Sequence, residues 1–155
     1  MKALILFLAL ILSCSTAQAV PIPLRGVVEG FYGTTWTFKD RADIIDFCRQ
    51  NNLNAYIYAP KDDPYHREKW RKPYPVDKLD ELKNLVALAN QSRVRFIFAV
   101  SPGLDLNYKS EEDFRLLIKK LDTMYNIGVR DFAIFFDDLK DDKGNHHESG
   151  KIPAE

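Results

Sequence analysis

The chain has 155 residues, 46% hydrophobic and 28% charged, a balance that suits one domain with its own core and leaves little room for two. Its 22 basic and 22 acidic residues cancel. Nucleic-acid and anionic-membrane partners both select a basic excess or patch, so this balance supports neither.

Residues 1–19, MKALILFLALILSCSTAQA, read as a leader rather than as part of the fold. Lys2 precedes an apolar run from Ala3 to Leu12, and Ala17-Gln18-Ala19 is the small-residue cleavage pattern of a secretory signal. The run is too short to span a bilayer, so export with cleavage after Ala19 is the expectation. A rival reading makes Cys14 a lipid-modified cysteine, although Leu12 fits such a box poorly. Cleavage would remove Cys14 and leave Cys48 as the remaining cysteine, so export here does not imply a disulfide scaffold. Cys48 lies among Ile44, Ile45 and Phe47 and reads as a small buried hydrophobe.

The first predicted strand is Arg25 to Glu29. A helix follows over Lys39 to Gln50, with Ile44, Ile45 and Cys48 on one side and a capping box in Thr37-Phe38-Lys39-Asp40. Asn54 to Ala59 is the second strand. Val76 to Asn90 places Leu79, Leu82, Val86 and Ala89 at helical spacing. Arg95 to Val100 is the third strand. Ser110-Glu111-Glu112-Asp113 reads as another capping box, opening a helix through Phe114, Leu117, Leu121 and Met124, with Gly128 as its C-cap. Phe132 to Phe136 closes the series as a fourth strand. AYIYA, FIFAV and FAIFF are aromatic and β-branched with little alternation, the pattern of parallel strands buried on both faces. The order is β-α-β-α-β-α-β, with right-handed crossovers expected.

In parallel α/β folds, sites form at the C-terminal ends of the strands. Here those ends carry EGFYG (Glu29 to Gly33), PKDD (Pro60 to Asp63), SPGLD (Ser101 to Asp105) and the adjacent Asp137 and Asp138. The loop from Lys61 to Pro75 is longer than an ordinary β-α connection, as functional or disordered loops are. Taken alone, Asp-Asp after a strand also fits a loop entry, a helix cap or a metal site. Asp141, Asp142, His146 and His147 suggest a metal patch, but the spacing lacks an EF-hand's alternation and final glutamate, and a solvated loop is expected. His66 reads as a solvated or locally bonded loop histidine. Trp36, Trp70, Tyr65 and Tyr74 are expected to pack under their loops rather than serve as sugar platforms.

RGVVEGFYGTTW (Arg25 to Trp36), YIYAPKDDPYHREKWR (Tyr56 to Arg71), VSPGLD (Val100 to Asp105) and GVRDFAIFFDDL (Gly128 to Leu139) together resemble glycoside hydrolase family 84, the β-N-acetylglucosaminidases. That family includes secreted bacterial members labelled hyaluronidases and the eukaryotic O-GlcNAcases. The resemblance spans residues 23 to 139 in matching order. It implies an α/β fold of TIM-type (β/α)8 barrel, removal of terminal β-linked N-acetylglucosamine (GlcNAc) from O-GlcNAc protein, mucin or hyaluronan, and no metal or organic cofactor. It further implies that Asp137 orients and polarises the substrate's acetamido N–H, while Asp138 is general acid and then general base. Gly30 and Lys61 match family positions that contact sugar hydroxyls, and Tyr32 matches a residue near the same pocket.

The residues suit that chemistry. Ordinary retaining glycosidases place two carboxylates across the scissile bond, which neighbours on one strand end could hardly do. In the substrate-assisted variant the acetamido carbonyl is the nucleophile, so the protein needs one acid and one carboxylate gripping the acetamido group. Successive strand side chains point apart and can reach different atoms of one sugar. Their mutual repulsion also raises one pKa, which keeps an acid protonated. Lys61 offers three donors for hydroxyls, and a glycine at position 30 lets backbone approach a ligand.

A TIM barrel needs eight strands and about 250 residues. Only four β/α units are legible here, so the expectation is the N-terminal half of a barrel, truncated after its fourth strand. Two open sheet edges would then invite a missing half-barrel or self-association. The alternatives are a truncated, catalytically silent carbohydrate-binding protein and, with weak histidine support, a metal-dependent polysaccharide deacetylase.

Overall fold

The computed structural model describes residues 22–136. The leader with Cys14 and Ala19, the aspartates Asp137 and Asp138, and the Asp141–His147 patch lie outside the described residues. Among the described residues, seven elements run in order: β1 (Gly26–Glu29), α1 (Phe38–Gln50), β2 (Ala55–Tyr58), α2 (Val76–Gln91), β3 (Arg95–Val100), α3 (Glu111–Asn126) and β4 (Asp131–Ile134). The strands form one parallel sheet in the order β1-β2-β3-β4. Each strand therefore neighbours the next in sequence, and one helix fills each of the three crossovers.

Side chains alternate across the sheet. Tyr56 and Tyr58 of β2 and Phe96 and Phe98 of β3 join the core formed with Ile45, Cys48, Leu82, Leu85, Val86 and Ala89 of the helices. The Tyr58 ring stacks on Phe98 at 6.2 Å and 15°. Cys48 is fully buried, as its apolar neighbours predict. Burial on both faces holds for β2 and β3 and fails at the outer strands. Val28, Phe132 and Ile134 are 51%, 36% and 41% exposed. The reason is position: β1 and β4 each pair on one side only within this sheet. Gly26 is fixed by that pairing, because a Cβ there would lie 2.0 Å from the Ala55 carbonyl oxygen.

All three helices end alike. Leu53 N donates to Cys48 O at 2.9 Å, Val94 N to Ala89 O at 2.9 Å and Val129 N to Met124 O at 3.1 Å. In each, the preceding residue has positive φ: Asn52 at 56°, Arg93 at 57° and Gly128 at 108°. This is the Schellman closure. At the helix starts, Thr37 and Asp40 form the full reciprocal box. Ser110 accepts from Asp113 N, but the Asp113 carboxylate is engaged elsewhere. Phe114, placed with the apolar face of α3 by spacing, is 65% exposed, and Lys120 is buried with Leu117 and Met124 instead.

Candidate active site

The strand ends are assembled from β1 outward. Glu29, the last residue of β1, is fully buried and takes two bonds from Arg41 of α1, each 3.0 Å long. Tyr56 O–H also donates to Glu29, and Arg41 donates to Glu81 of α2 at 3.1 Å. A buried bidentate pair with its remaining lone pairs satisfied is strongly specified, since removing one partner strands the other charge at about 3–5 kcal/mol. Glu29 therefore anchors the start of EGFYG to the helical layer and leaves Gly30 onward to form the mouth.

The two loops that follow are latched together. Lys61 N donates to Phe31 O at 3.1 Å, and Gly33 N donates to the Asp62 carboxylate at 2.7 Å. Gly33 has φ 105°, which suits glycine at the turn. These bonds bring three predicted residues to one place: Gly30 and Tyr32 from the first loop, Lys61 from the second. The Lys61 ammonium lies 5.9 Å from the centre of the Tyr32 ring. Arg67, which sequence reading passed over, joins them with its guanidinium 5.4 Å from the same ring.

The long loop is tied down by buried side chains: Asp63, His66, Arg67, Trp70 and Tyr74 are all buried. Asp63 accepts from Tyr58 and Tyr74 hydroxyls, both at 2.7 Å, and from Tyr65 N at 2.9 Å. Trp70 is fully buried, and its indole N–H donates to Asp105 at 2.9 Å. Arg71 bridges Asp105 at 2.6 Å and Asp113 at 2.7 and 2.6 Å. With Asn107 N also donating at 2.9 Å, the Asp113 carboxyl is pulled down to about 2, Arg71 being the larger cause. Lys120 reaches up from α3 to the carbonyls of Tyr65 and Lys72 at 2.9 and 2.5 Å, and burial pulls its ammonium down to about 8.

His66 departs from expectation. It is fully buried, with Nδ1 at 3.0 Å from Ala99 O, and burial lowers its pKa despite that bond. The neutral ring therefore donates Nδ1–H to a carbonyl 33 residues away. The loop packs down on β3 here, Ser101 N donating to His66 O at 2.8 Å, and that long-range contact has no local signature in sequence. Trp70 and Tyr74 do pack under the loop as predicted, with Tyr65 and Trp36 partly buried beside them.

A cavity of about 410 Å³ lies between α1, α2 and the long loop, lined by Trp36, Arg41, Tyr58, Asp63, Tyr74 and Leu82 among others. Gly30, Tyr32 and Lys61 are not in its wall. Among the described residues no three His, Cys, Asp or Glu side chains gather as a metal site, and no helix is long and apolar enough to cross a membrane. Asp137 and Asp138 follow Phe136 directly in sequence, outside the described residues; β4 is held beside β3 up to Phe135, whose N donates to Val100 O at 2.9 Å.

A parallel β/α sheet with glycine, tyrosine and cationic side chains gathered at its strand ends defines an α/β protein, and strand ends are where ligands bind in such folds. The comparisons with known proteins specify it further. The family model for beta-N-acetylglucosaminidase (NAGidase) matches residues 25–154. Protein O-GlcNAcase of Rattus norvegicus and that of Mus musculus are each 41% identical over 116 residues, covering 75% of this chain and 13% of theirs. Among solved structures, CpGH84B superposes with a TM-score of 0.73 at 53% identity, over 77% of this chain and 22% of that one. A mutant of the Thermobaculum terrenum O-GlcNAc hydrolase gives 0.73 at 48%, over 76% and 25%. This chain belongs to the beta-N-acetylglucosaminidase family, as its four motifs predict. It spans 13% of the length of the curated relatives it matches.

Proposed function

We propose that this chain forms the first four β/α units of a TIM-type catalytic barrel that removes terminal β-linked GlcNAc with retention of configuration. The observation that carries the reading is the meeting of Gly30, Tyr32 and Lys61 at the ends of β1 and β2 in a chain that matches the family model through residue 154. O-GlcNAc is the sugar in the names of its relatives and the substrate class we favour. Mucin and hyaluronan present compatible sugars.

In this reading the substrate's acetamido oxygen attacks the anomeric carbon as the glycosidic C–O bond breaks. Asp138 gives its proton to the leaving oxygen, and Asp137 accepts the acetamido N–H and favours positive charge on the oxazoline. Water then opens the oxazoline at the anomeric carbon, its proton returning to Asp138. Two displacements preserve the β configuration. Lys61 and the backbone at Gly30 hold hydroxyls and take no proton. The leader suits export, with cleavage after Ala19, and the N-terminus of the released protein would test that assignment.

The experiment is turnover of an aryl β-N-acetylglucosaminide by the natural protein, beside Asp138→Asn. The expected outcome is hydrolysis by the wild type and a loss of about a hundredfold or more in the variant. Saturable sugar binding without turnover would instead favour a silent carbohydrate-binding protein.

A further inference from the structure

We propose that Arg67 is a positioning residue of the strand-end site, holding the Tyr32 ring so that its hydroxyl proton is directed at the sugar. The inference rests on the glycosidase reading above and extends it to a residue that reading does not use.

Tyr32 is 62% exposed, so packing alone leaves its χ1 open to several rotamers. Its backbone is fixed on both sides by the Lys61–Phe31 and Gly33–Asp62 bonds, and its side chain meets Arg67. Arg67 Nη2 donates to the Tyr32 hydroxyl oxygen at 3.2 Å, and the guanidinium lies beside the ring. A guanidinium has no lone pair to offer. Tyr32 oxygen must therefore be the acceptor in this pair, which leaves its own O–H to donate away from Arg67.

Arg67 is well placed to impose this geometry. The residue is only 9% exposed. The His66 carbonyl before it holds Ser101 N, and its own carbonyl accepts from the N–H of the buried Trp70 at 3.2 Å. A rigid donor thus orders an exposed acceptor, and the ordering cost is met before the ligand arrives. Lys61, on the same ring, supplies the second set of donors at the mouth. Loss of Arg67 would release the ring and weaken ground-state and transition-state binding together, raising KM with little change in kcat.

The test is a double-mutant cycle in the natural protein with Arg67→Gln, Tyr32→Phe and the pair. KM and kcat are read on the aryl β-N-acetylglucosaminide, the Kd of free GlcNAc by calorimetry, and Tm as a control on folding. Each single variant is expected to raise Kd and KM about tenfold, and the double variant no further, because both remove one interaction. Arg67→Lys, which keeps a donor without the planar fork, should recover part of the loss. Effects that multiply in the double variant would overturn the proposal, as would a lower Tm with unchanged Kd and KM. Should Arg67→Gln fail to fold, Tyr32→Phe with Arg67→Lys decides the matter by the same rule. A wild type that binds GlcNAc without hydrolysing it would sink the catalytic reading, while the cycle in Kd still judges the pair. A wild type that does neither overturns both.

Discussion

Asp113 shows how one side chain ties together segments distant in sequence. It lies in the first turn of α3, yet its carboxylate holds Arg71 and Asn107 N rather than closing a capping box, and Arg71 in turn holds Asp105. Its pKa is depressed to about 2, so its contribution to stability is fully present above the unfolded value of about 4 and is lost as pH falls from there towards 2. The loss should be on the order of 2 kcal/mol. Urea unfolding between pH 5 and 2 should show that component in the wild type and lack it in Asp113→Asn, which should be the less stable at pH 5. Equal pH slopes for the two proteins would refute the latch. Cys48 and Trp70 were legible from their own neighbourhoods. Glu29 and His66 were not, because their partners, Arg41 and Ala99, come from elements that only the fold brings near.

At the scale of elements, the helix ends set the loop geometry. Gly128 meets the positive φ of its closure at no steric cost, and Asn52 tolerates it, whereas Arg93 adopts 57° as an ordinary side-chain-bearing residue. Arg93 is exposed, so Arg93→Gly should raise stability by up to about 1 kcal/mol, measured as a higher Tm; an unchanged or lower Tm would contradict the strain. Strand and helix positions were legible to within a residue or two from apolar periodicity and caps. The faces were less so. Phe114 fits the helical stripe but points away from the core, and Lys120 takes a buried place because two loop carbonyls and the Tyr74 ring receive it. Spacing records periodicity and is silent about which partners a loop will bring.

At the scale of the molecule, four strands in sequence order with one helix per crossover place every loop of interest at one rim of the sheet. That arrangement was legible in the repeating pattern, and the motifs EGFYG and PKDD named three of the residues that meet there. Asp62, within PKDD, and Arg67, four residues beyond it, were hidden because their roles depend on the latching of two loops, not on local sequence. The exposed apolar side chains of β1 and β4 belong to the outer strands of this sheet. The central claim concerns the nucleophile. Aryl glucosaminides bearing acetyl, monofluoroacetyl, difluoroacetyl and trifluoroacetyl groups on nitrogen drain electron density stepwise from the carbonyl oxygen. With the natural protein, kcat/KM should fall steeply along that series. A flat series would mean that the acetamido oxygen does not attack, and the substrate-assisted account would be wrong.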